Sequence, residues 1–507
     1  MSRAITRRQA LGGIAASLVA PAALGACSRR AQPAPPHDAA ASPDGSGEAG
    51  SVPLGPYDAN ATRPPNLVLI IADDQAAKAV GSVGAFPFLA TPGMDRLGAE
   101  GATFSNMFVT TSLCSPSRAS ILTGCYAHTH GVKSNDTNDP NPDLPQFPAL
   151  LQQAGYRTAF IGKWHMASGA DNAAPRPGFD EWLVPPGQGD YNDPWLNDNG
   201  ALAQVPGYIT DILTDRAIQW ISDNRDSPFC LILAHKAVHD PRTPAARYAS
   251  ALADASVPEP ASFQDDFFGK PAWLRRGVLY GQDSSAWQAS LGLPIPDRLP
   301  PATWNAQDSY LLDYFRCLLA LDDSIGRVLE ALADLGILEQ TCVAHMSDNG
   351  YFLGEHRFDD KRLMYEESLR VPLLVRYPRV FSPGSSIPGM ALNIDLAPTF
   401  LALAGVNQPA SMAGESLLPL GAGMPSTWRK SFLYEYWMEG WLPGIPSMRG
   451  VRTESTKLIR YPDVVGDVDE LYDLANDPLE LDNRIQDPAY AQTLAALDAE
   501  LLRLAGA

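Results

Sequence analysis

Leu67-Val68-Leu69-Ile70-Ile71-Ala72 runs without a break into Asp73-Asp74, and that junction decides the fold. An unbroken apolar run of this length reads as a strand buried on both faces, the kind found in a parallel sheet covered by helices on either side. The pattern recurs. Thr158-Ala159-Phe160-Ile161 ends in Gly162-Lys163-Trp164-His165, and Phe229 to Ala234 ends in His235-Lys236-Ala237-Val238-His239. Thr341 to Met346 ends in Ser347-Asp348-Asn349-Gly350. Helical patterns lie between, such as Tyr310 to Leu335, whose Leu311, Phe315, Leu318, Leu319, Ile325 and Leu329 read as core. The alternation predicts an α/β fold with a large, mostly parallel sheet flanked by helices.

In open α/β sheets ligands bind beyond the carboxyl ends of the strands. Asp73, Asp74, Lys163, His165, His239, Asp348 and Asn349 are therefore expected to share one cleft. A single such end would say little, because carboxylates after strands commonly cap helices. Four together make chance a poor explanation. After a helix expected over 395–404, the chain is rich in Gly and Pro up to about Trp428. Ser431 to Trp437, Gly450 to Thr453, Thr456 to Tyr461 and Glu470-Leu471-Tyr472 then read as short strands, followed by a helix from Ala489 to Leu504. This gives a large α/β domain over 63–425 and a small α+β subdomain over 426–507.

The 507 residues suffice for both, and 45% apolar residues with ten Trp fit a globular chain. A formal charge of −19 argues against a nucleic-acid binder, which needs a basic face. It leaves room for an anionic substrate, because a few fixed cations and a metal reverse the potential inside one cleft. Six cysteines are scattered without a disulfide framework. Cys230 sits in an apolar run and reads as buried.

The first sixty residues read as an address. Thr6-Arg7-Arg8-Gln9-Ala10-Leu11 before a mild apolar stretch resembles a bacterial twin-arginine signal, over 1–26. Leu24-Gly25-Ala26-Cys27 resembles a lipobox, which makes Cys27 the candidate lipid-anchored first residue of the mature chain; an ordinary cleavage site is the plainer alternative. Residues 27–62, dominated by Ala, Pro, Ser, Gly and Asp, read as a flexible tether. Together these imply export through the twin-arginine translocase to the periplasm or cell envelope. That route carries folded proteins, so any cytoplasmic modification must come first.

Leu113-Cys114-Ser115-Pro116-Ser117-Arg118, continuing through Leu122-Thr123-Gly124, is the most informative stretch. Cys114 stands just before a helix opened by Pro116, where free N–H groups favour negative charge, and Arg118 lies about one turn along. By chemistry alone this is a candidate low-pKa thiol nucleophile. The stretch also resembles the signature of the sulfatase family, C-x-P-S-R with a downstream L-T-G. The other motifs follow in that family's order from Pro65 to Asn483: the Asp pair, Gly162-Lys163-Trp164-His165, His239-Asp240-Pro241, Ser347-Asp348-Asn349-Gly350, and Gly354-Glu355-His356 followed by Asp360-Lys361-Arg362.

The resemblance implies an alkaline-phosphatase-like sandwich ending in a small antiparallel sheet with a packed helix. It implies that a formylglycine-generating enzyme oxidises Cys114 to formylglycine (3-oxoalanine), whose hydrate is the nucleophile. It implies a metal on Asp73, Asp74, Asp348, Asn349 and the modified Cys114. That all-oxygen set suits Ca²⁺, or Mg²⁺, rather than zinc. Arg118, Lys163 and Lys361 are implied to grip the sulfate, His239 to protonate the leaving group, and His165 to take the last proton. The expected substrate is a sulfated small molecule or glycan. Asp360 to Ser368 is similar to bacterial enzymes of the group that includes N-acetylglucosamine-6-sulfatases, which favours carbohydrate.

Two other functions fit less of the sequence. One is a phosphonate monoester or phosphodiester hydrolase of the same superfamily; the other is a non-catalytic lipoprotein that binds sulfated glycans. His235 and Lys236 read as solvent-facing or strand-capping, and Glu355-His356 as either a substrate contact or a surface turn. Cys125 receives no role. Trp195, Trp273, Trp287 and Trp304 read as buried loop anchors, with sugar-stacking walls as the alternative.

Overall fold

The run after Pro65 forms the strand Asn66–Ala72, buried along its whole length. In the computed structural model, which describes residues 63–135, 139–167 and 173–506, this strand lies near the middle of a ten-stranded sheet. The leader, the tether and Cys27 fall outside the described residues. Asn66–Ala72 pairs in parallel with Phe229–Ala234 on one side and Thr341–Ser347 on the other. Arg157–Gly162 joins Phe229–Ala234 in parallel, and Glu181–Val184 joins it in turn. The strands that carry the sequence motifs therefore all point one way.

Antiparallel pairs occupy the flanks. Leu373–Arg376 runs against Thr341–Ser347 and against Ala102–Phe104. The hairpin Trp195–Asp198 and Ala201–Gln204 closes the far side beyond Glu181–Val184. The sheet is mixed at its edges and parallel at its centre, where helices cover both faces.

Successive strand residues face opposite layers, and the packing follows that period. Val68 and Ile70, with Leu231, Leu233 and Val343, pack against Phe315, Leu318, Ile325 and Leu329. Those residues belong to the helix Ser309–Asp334, whose first turn Asp308 caps by accepting from Tyr310 and Leu311 N–H. Leu67, Leu69 and Ile71 face the other layer, with Phe147, Phe400 and Leu401. Each such side chain, fully buried, contributes about 1.5–3 kcal/mol.

Gly162 ends its strand at φ +116°, and a Cβ there would collide with the Ala234 carbonyl oxygen of the neighbouring strand. The next residue, Lys163, donates its N–H to that same oxygen at 2.7 Å. Only glycine permits this approach, and it brings Lys163 in beside the central strand.

The small sheet orders Ser431–Tyr436, Met448–Thr453, Thr456–Arg460 and Glu470–Asp473, all antiparallel. On one face Leu433, Val451, Leu458 and Leu471 bury Leu497 and Leu501 of the helix Ala491–Leu504. On the other, Phe432, Tyr434, Tyr436 and Tyr472 pack with Leu113, Met364 and Tyr365. All described residues belong to one unit, Ala49–Ala507. Among them no helix is long and apolar enough to cross a membrane.

Ion pairs lock this sheet to the segment just past Lys361. The buried Lys457 Nζ lies 2.9 Å from Glu366 and 2.7 Å from Glu480, and Arg452 adds a 3.0 Å contact to Glu366. Removing a buried cation leaves its carboxylates uncompensated, at about 3–5 kcal/mol. Lys457→Met is expected to lower the thermal midpoint markedly, and adding Glu480→Gln to recover part of the loss. A Lys457→Met midpoint equal to the native one, read by calorimetry, would show that this network does not hold the two sheets together.

Candidate active site

Cys114 is the first residue of the helix Cys114–Thr123 and is fully buried. Its Sγ lies 3.4 Å from Asp73 Oδ1 and 3.4 Å from Lys361 Nζ. Asp73 and Asp74 follow the central strand, and the chain turns sharply at Asp74 (φ +64°). The Asp348 N–H donates to the Ala72 carbonyl at 3.0 Å, which ties the neighbouring strand end to the same place. Oxygens of Asp73, Asp74 and Asp348 come within 4.8 Å of one another.

Cations from separate elements answer these carboxylates. Lys163 Nζ donates to Asp73 Oδ2, and Lys361 Nζ to Asp74 Oδ1. Arg118 Nε donates to Asp348 Oδ2 at 2.8 Å, and its Nη1 to the Lys163 carbonyl at 2.5 Å. Its Nη2 has no hydrogen-bond partner and sits 3.9 Å from Asp73 Oδ2. Lys163, Arg118 and Lys361 are all buried.

Burial disfavours every one of these charges, and neighbours decide which survive. Asp73 is desolvated, yet Lys163, His239, Arg118 and Lys361 outweigh that and hold it well below the usual carboxylate range. Burial and then the Asp73 charge push Asp348 up to about 7, against the pull of Arg118 and Lys163. Lys361 is driven the opposite way from its desolvation, well upward, by Asp74 and then Asp73. Burial, followed by Asp73, raises the Cys114 thiol. This runs against the low-pKa thiol expected from the helix start, because burial beside the carboxylates outweighs the pull of Lys163 and Lys361.

The histidines complete the rim. His239 places Nδ1 2.6 Å from the Asp240 carbonyl, which can only accept, so Nδ1 carries the proton and Nε2 faces Asp74 Oδ2 at 3.7 Å. Burial lowers His239 to about 4, against Asp73 and Asp74. His165, at φ +59°, has Nδ1 3.5 Å from Ser115 Oγ and Nε2 3.0 Å from Gln188 Nε2. Burial, aided by the Lys163 charge, depresses it well below the ordinary range.

The donor set fits a hard divalent cation. Asp73, Asp74 and Asp348 crowd their oxygens together, and Asn349 Oδ1 is buried without a partner while its Nδ2 donates to Asp74 Oδ1 at 2.6 Å. Oxygen-only ligands suit Ca²⁺ or Mg²⁺.

Several residues stand apart from this cluster. His235 is buried, not solvent-facing, with Nε2 3.0 Å from Ser324 Oγ. Lys236 donates to the Asp240 carbonyl at 3.2 Å and lies over the Tyr191 ring. Glu355-His356 is no surface turn. Glu355 accepts from Leu353 N–H at 2.7 Å and pairs with Lys78, while the buried His356 meets Asp265 at 2.7 Å. Cys125 is buried with Sγ 3.1 Å from the Ser411 carbonyl. Trp273 is buried and Trp304 donates to the Val257 carbonyl, as loop anchors do, but Trp195 is exposed at the edge hairpin.

Sequence reasoning missed Asn135, whose Oδ1 accepts from Ser115 N–H at 3.1 Å, and Gln188 on His165. Neither sits in a pattern that marks it; only the fold brings them to the site.

Residues 65–406 match the sulfatase family, and residues 354–506 match the family described as N-sulphoglucosamine sulphohydrolase, C-terminal. The chain is 35% identical to an N-acetylglucosamine-6-O-sulfatase of Bacteroides thetaiotaomicron, over 85% of this chain and 84% of that one. It is 32% identical to the human N-acetylglucosamine-6-sulfatase, over 75% and 68% respectively. A solved structure in complex with its substrate D-glucosamine-2-N,6-O-disulfate superposes with a TM-score of 0.76 at 33% identity, covering 87% of this chain and 97% of the other. A phosphonate monoester hydrolase of Agrobacterium radiobacter, at 22% identity, 87% and 95% coverage and a TM-score of 0.68, shares the fold alone. With a whole-length relative at that identity and the family match over most of its length, this chain belongs to the sulfatase family and is a sulfuric ester hydrolase.

Proposed function

We propose that the enzyme releases sulfate from a sulfated amino sugar of the glucosamine 6-O-sulfate type, with Cys114 oxidised to formylglycine beside a bound Ca²⁺. The reading rests above all on the placement of Cys114. Its Sγ is buried between Asp73 and Lys361, where a thiol is poorly activated and a strongly polarised oxygen is well served. The named activities of the relatives and the disulfated glucosamine of the solved complex support the sugar. Export by the twin-arginine route, with Cys27 as lipid anchor, belongs to the same proposal.

A hydrated aldehyde at position 114 supplies an oxygen nucleophile with a second hydroxyl in reserve, and Ca²⁺ on Asp73, Asp74, Asp348 and Asn349 supplies positive charge beside it. The chain's own part is largely electrostatic. Lys163, Lys361 and Arg118 bind sulfate oxygens in a site where burial strengthens each contact relative to water. Arg118 Nη2 is the donor left over for them. Asp348, held by Arg118 at 2.8 Å, is the carboxylate proposed to help activate the attacking hydroxyl.

His239 turns Nε2 toward the substrate while the Asp240 carbonyl holds Nδ1–H. Its low proton affinity, about 4, applies to the empty cleft. In the loaded site Nε2–H is proposed to go to the leaving alcohol oxygen, with Lys361 close by. His165, on the far side of Ser115, is the residue proposed to take up the last proton from position 114.

Peptide mass analysis of active enzyme is expected to find an aldehyde at position 114, and Cys114→Ala to lower kcat/KM by at least about 10³-fold. Active material carrying only the thiol would end the proposal. His239→Ala should cost about 10²–10⁴-fold on a sugar sulfate and far less on an aryl sulfate with an acidic phenol, which needs no proton to leave. Equal losses on both esters would strip His239 of its role as acid. Added CaCl₂ should raise the thermal midpoint of chelator-stripped enzyme, because a ligand that binds only the folded state stabilises it. Asp348→Asn should abolish that shift; a shift of native size in the variant would place the ion elsewhere.

A further inference from the structure

The strand Ser431–Tyr436 leads directly into Trp437, Met438, Glu439, Gly440 and Trp441, and the chemistry above uses neither tryptophan. Met438 is 47% exposed and Trp441 48% exposed. The two side chains lie three residues apart and give this turn an exposed apolar surface. Loose chain does not explain the exposure. Leu442 and Ile445 directly beyond are buried, the Leu442 N–H donates to the Glu439 carbonyl at 2.9 Å, and the Ser284 N–H donates to the Trp441 carbonyl at 3.1 Å. The backbone is pinned and the indole is held out.

Two separate contacts tie this segment to stretches of chain that adjoin the site. Arg362, the neighbour of Lys361, lies with its guanidinium 5.2 Å from the Trp441 ring. That guanidinium is itself fixed by Glu439 at 2.6 Å and Asp360 at 2.8 Å. On the other side Lys133 Nζ lies 4.9 Å from the Trp437 ring. Two residues on, Asn135 binds the N–H of Ser115, the neighbour of Cys114. A cation against each ring holds its orientation. The two rings are thus held by the residue next to Lys361 and by one two residues before Asn135, which accepts from Ser115 N–H.

We infer that Trp437 and Trp441 form a wall on which the apolar face of a pyranose ring of the sulfated substrate rests, which makes them specificity-determining residues. The inference rests on the sugar reading above and adds where the ring lies. An indole offers a flat apolar surface of the size of a pyranose face, at little conformational cost, while the ring hydroxyls stay hydrated at its edge. The sulfate is gripped by Lys163, Lys361 and Arg118, and the wall contributes to binding of the sugar alone.

The test uses fully matured enzyme, 6-sulfated N-acetylglucosamine as substrate and inorganic sulfate as a competitive inhibitor that probes the anion pocket by itself. Trp437→Ala and Trp441→Ala should each raise KM for the sugar about ten-fold, the effect of about 1.4 kcal/mol of lost stacking. The kcat and the inhibition constant of inorganic sulfate should stay at native values, and Trp441→Phe should restore most of the affinity. Native KM in both alanine variants, with the wild type active on the sugar, overturns the wall. A parallel rise in the inorganic-sulfate constant also overturns it, since the substitution then disturbs the whole cleft. A wild type that hydrolyses an aryl sulfate but leaves every sulfated sugar intact brings down the sugar reading itself.

Discussion

Three carboxylates gathered where water does not reach are the constraint around which this protein is built. Asp73, Asp74 and Asp348 are buried with oxygens within 4.8 Å of one another. Like charges at that separation in a low-dielectric site are strongly unfavourable unless cations or protons answer them. Lys163 answers Asp73, Lys361 answers Asp74, and Arg118 answers Asp348. Each cation comes from a different element, so the compensation exists only when strand, helix and loop are all in place. The proposed Ca²⁺ would relieve what remains, and the raised Asp348 is a measure of that remainder.

That arrangement explains why the fold was so legible. A carboxylate can be delivered to a common point from neighbouring strands only if they run parallel and end together, and such strands must be apolar on both faces. Leu67 to Ala72 and Phe229 to Ala234 advertise this in their composition, and the charged residues directly after them mark where the sheet stops. Strand bounds moved by about one residue, as at Arg157–Gly162, because hydrogen bonding continues into the glycine that the apolar pattern leaves out.

What stayed illegible depends on contacts between distant segments. Glu355 and His356 occupy a motif, yet nothing local says that Lys78 and Asp265 bury them. The helix start at Cys114 argued for an acidic thiol, and burial beside Asp73 reversed the sign. Helix N-termini favour negative charge by fractions of a kcal/mol up to about 2 kcal/mol, whereas desolvation of a fully buried group shifts a pKa by several units. Trp437 reads as the last residue of a strand, where aromatic residues are ordinarily packed, and Trp441 belongs to no motif.

Their position points to a division of labour. The groups proposed to act on sulfur sit on strand ends and on one helix start, where displacement of any member would unbalance the buried charges. The aromatic pair inferred to bear the sugar sits on a segment anchored by Leu442 and Ile445 in the carboxyl-terminal layer, and its rings meet Arg362 and Lys133. Changes there leave the compensation among Asp73, Asp74, Asp348 and their cations untouched. A chain organised in this way can alter which alcohol it accepts without re-solving the electrostatics of the sulfate. The ion pairs from Lys457 to Glu366 and Glu480 are what keep the two parts in register.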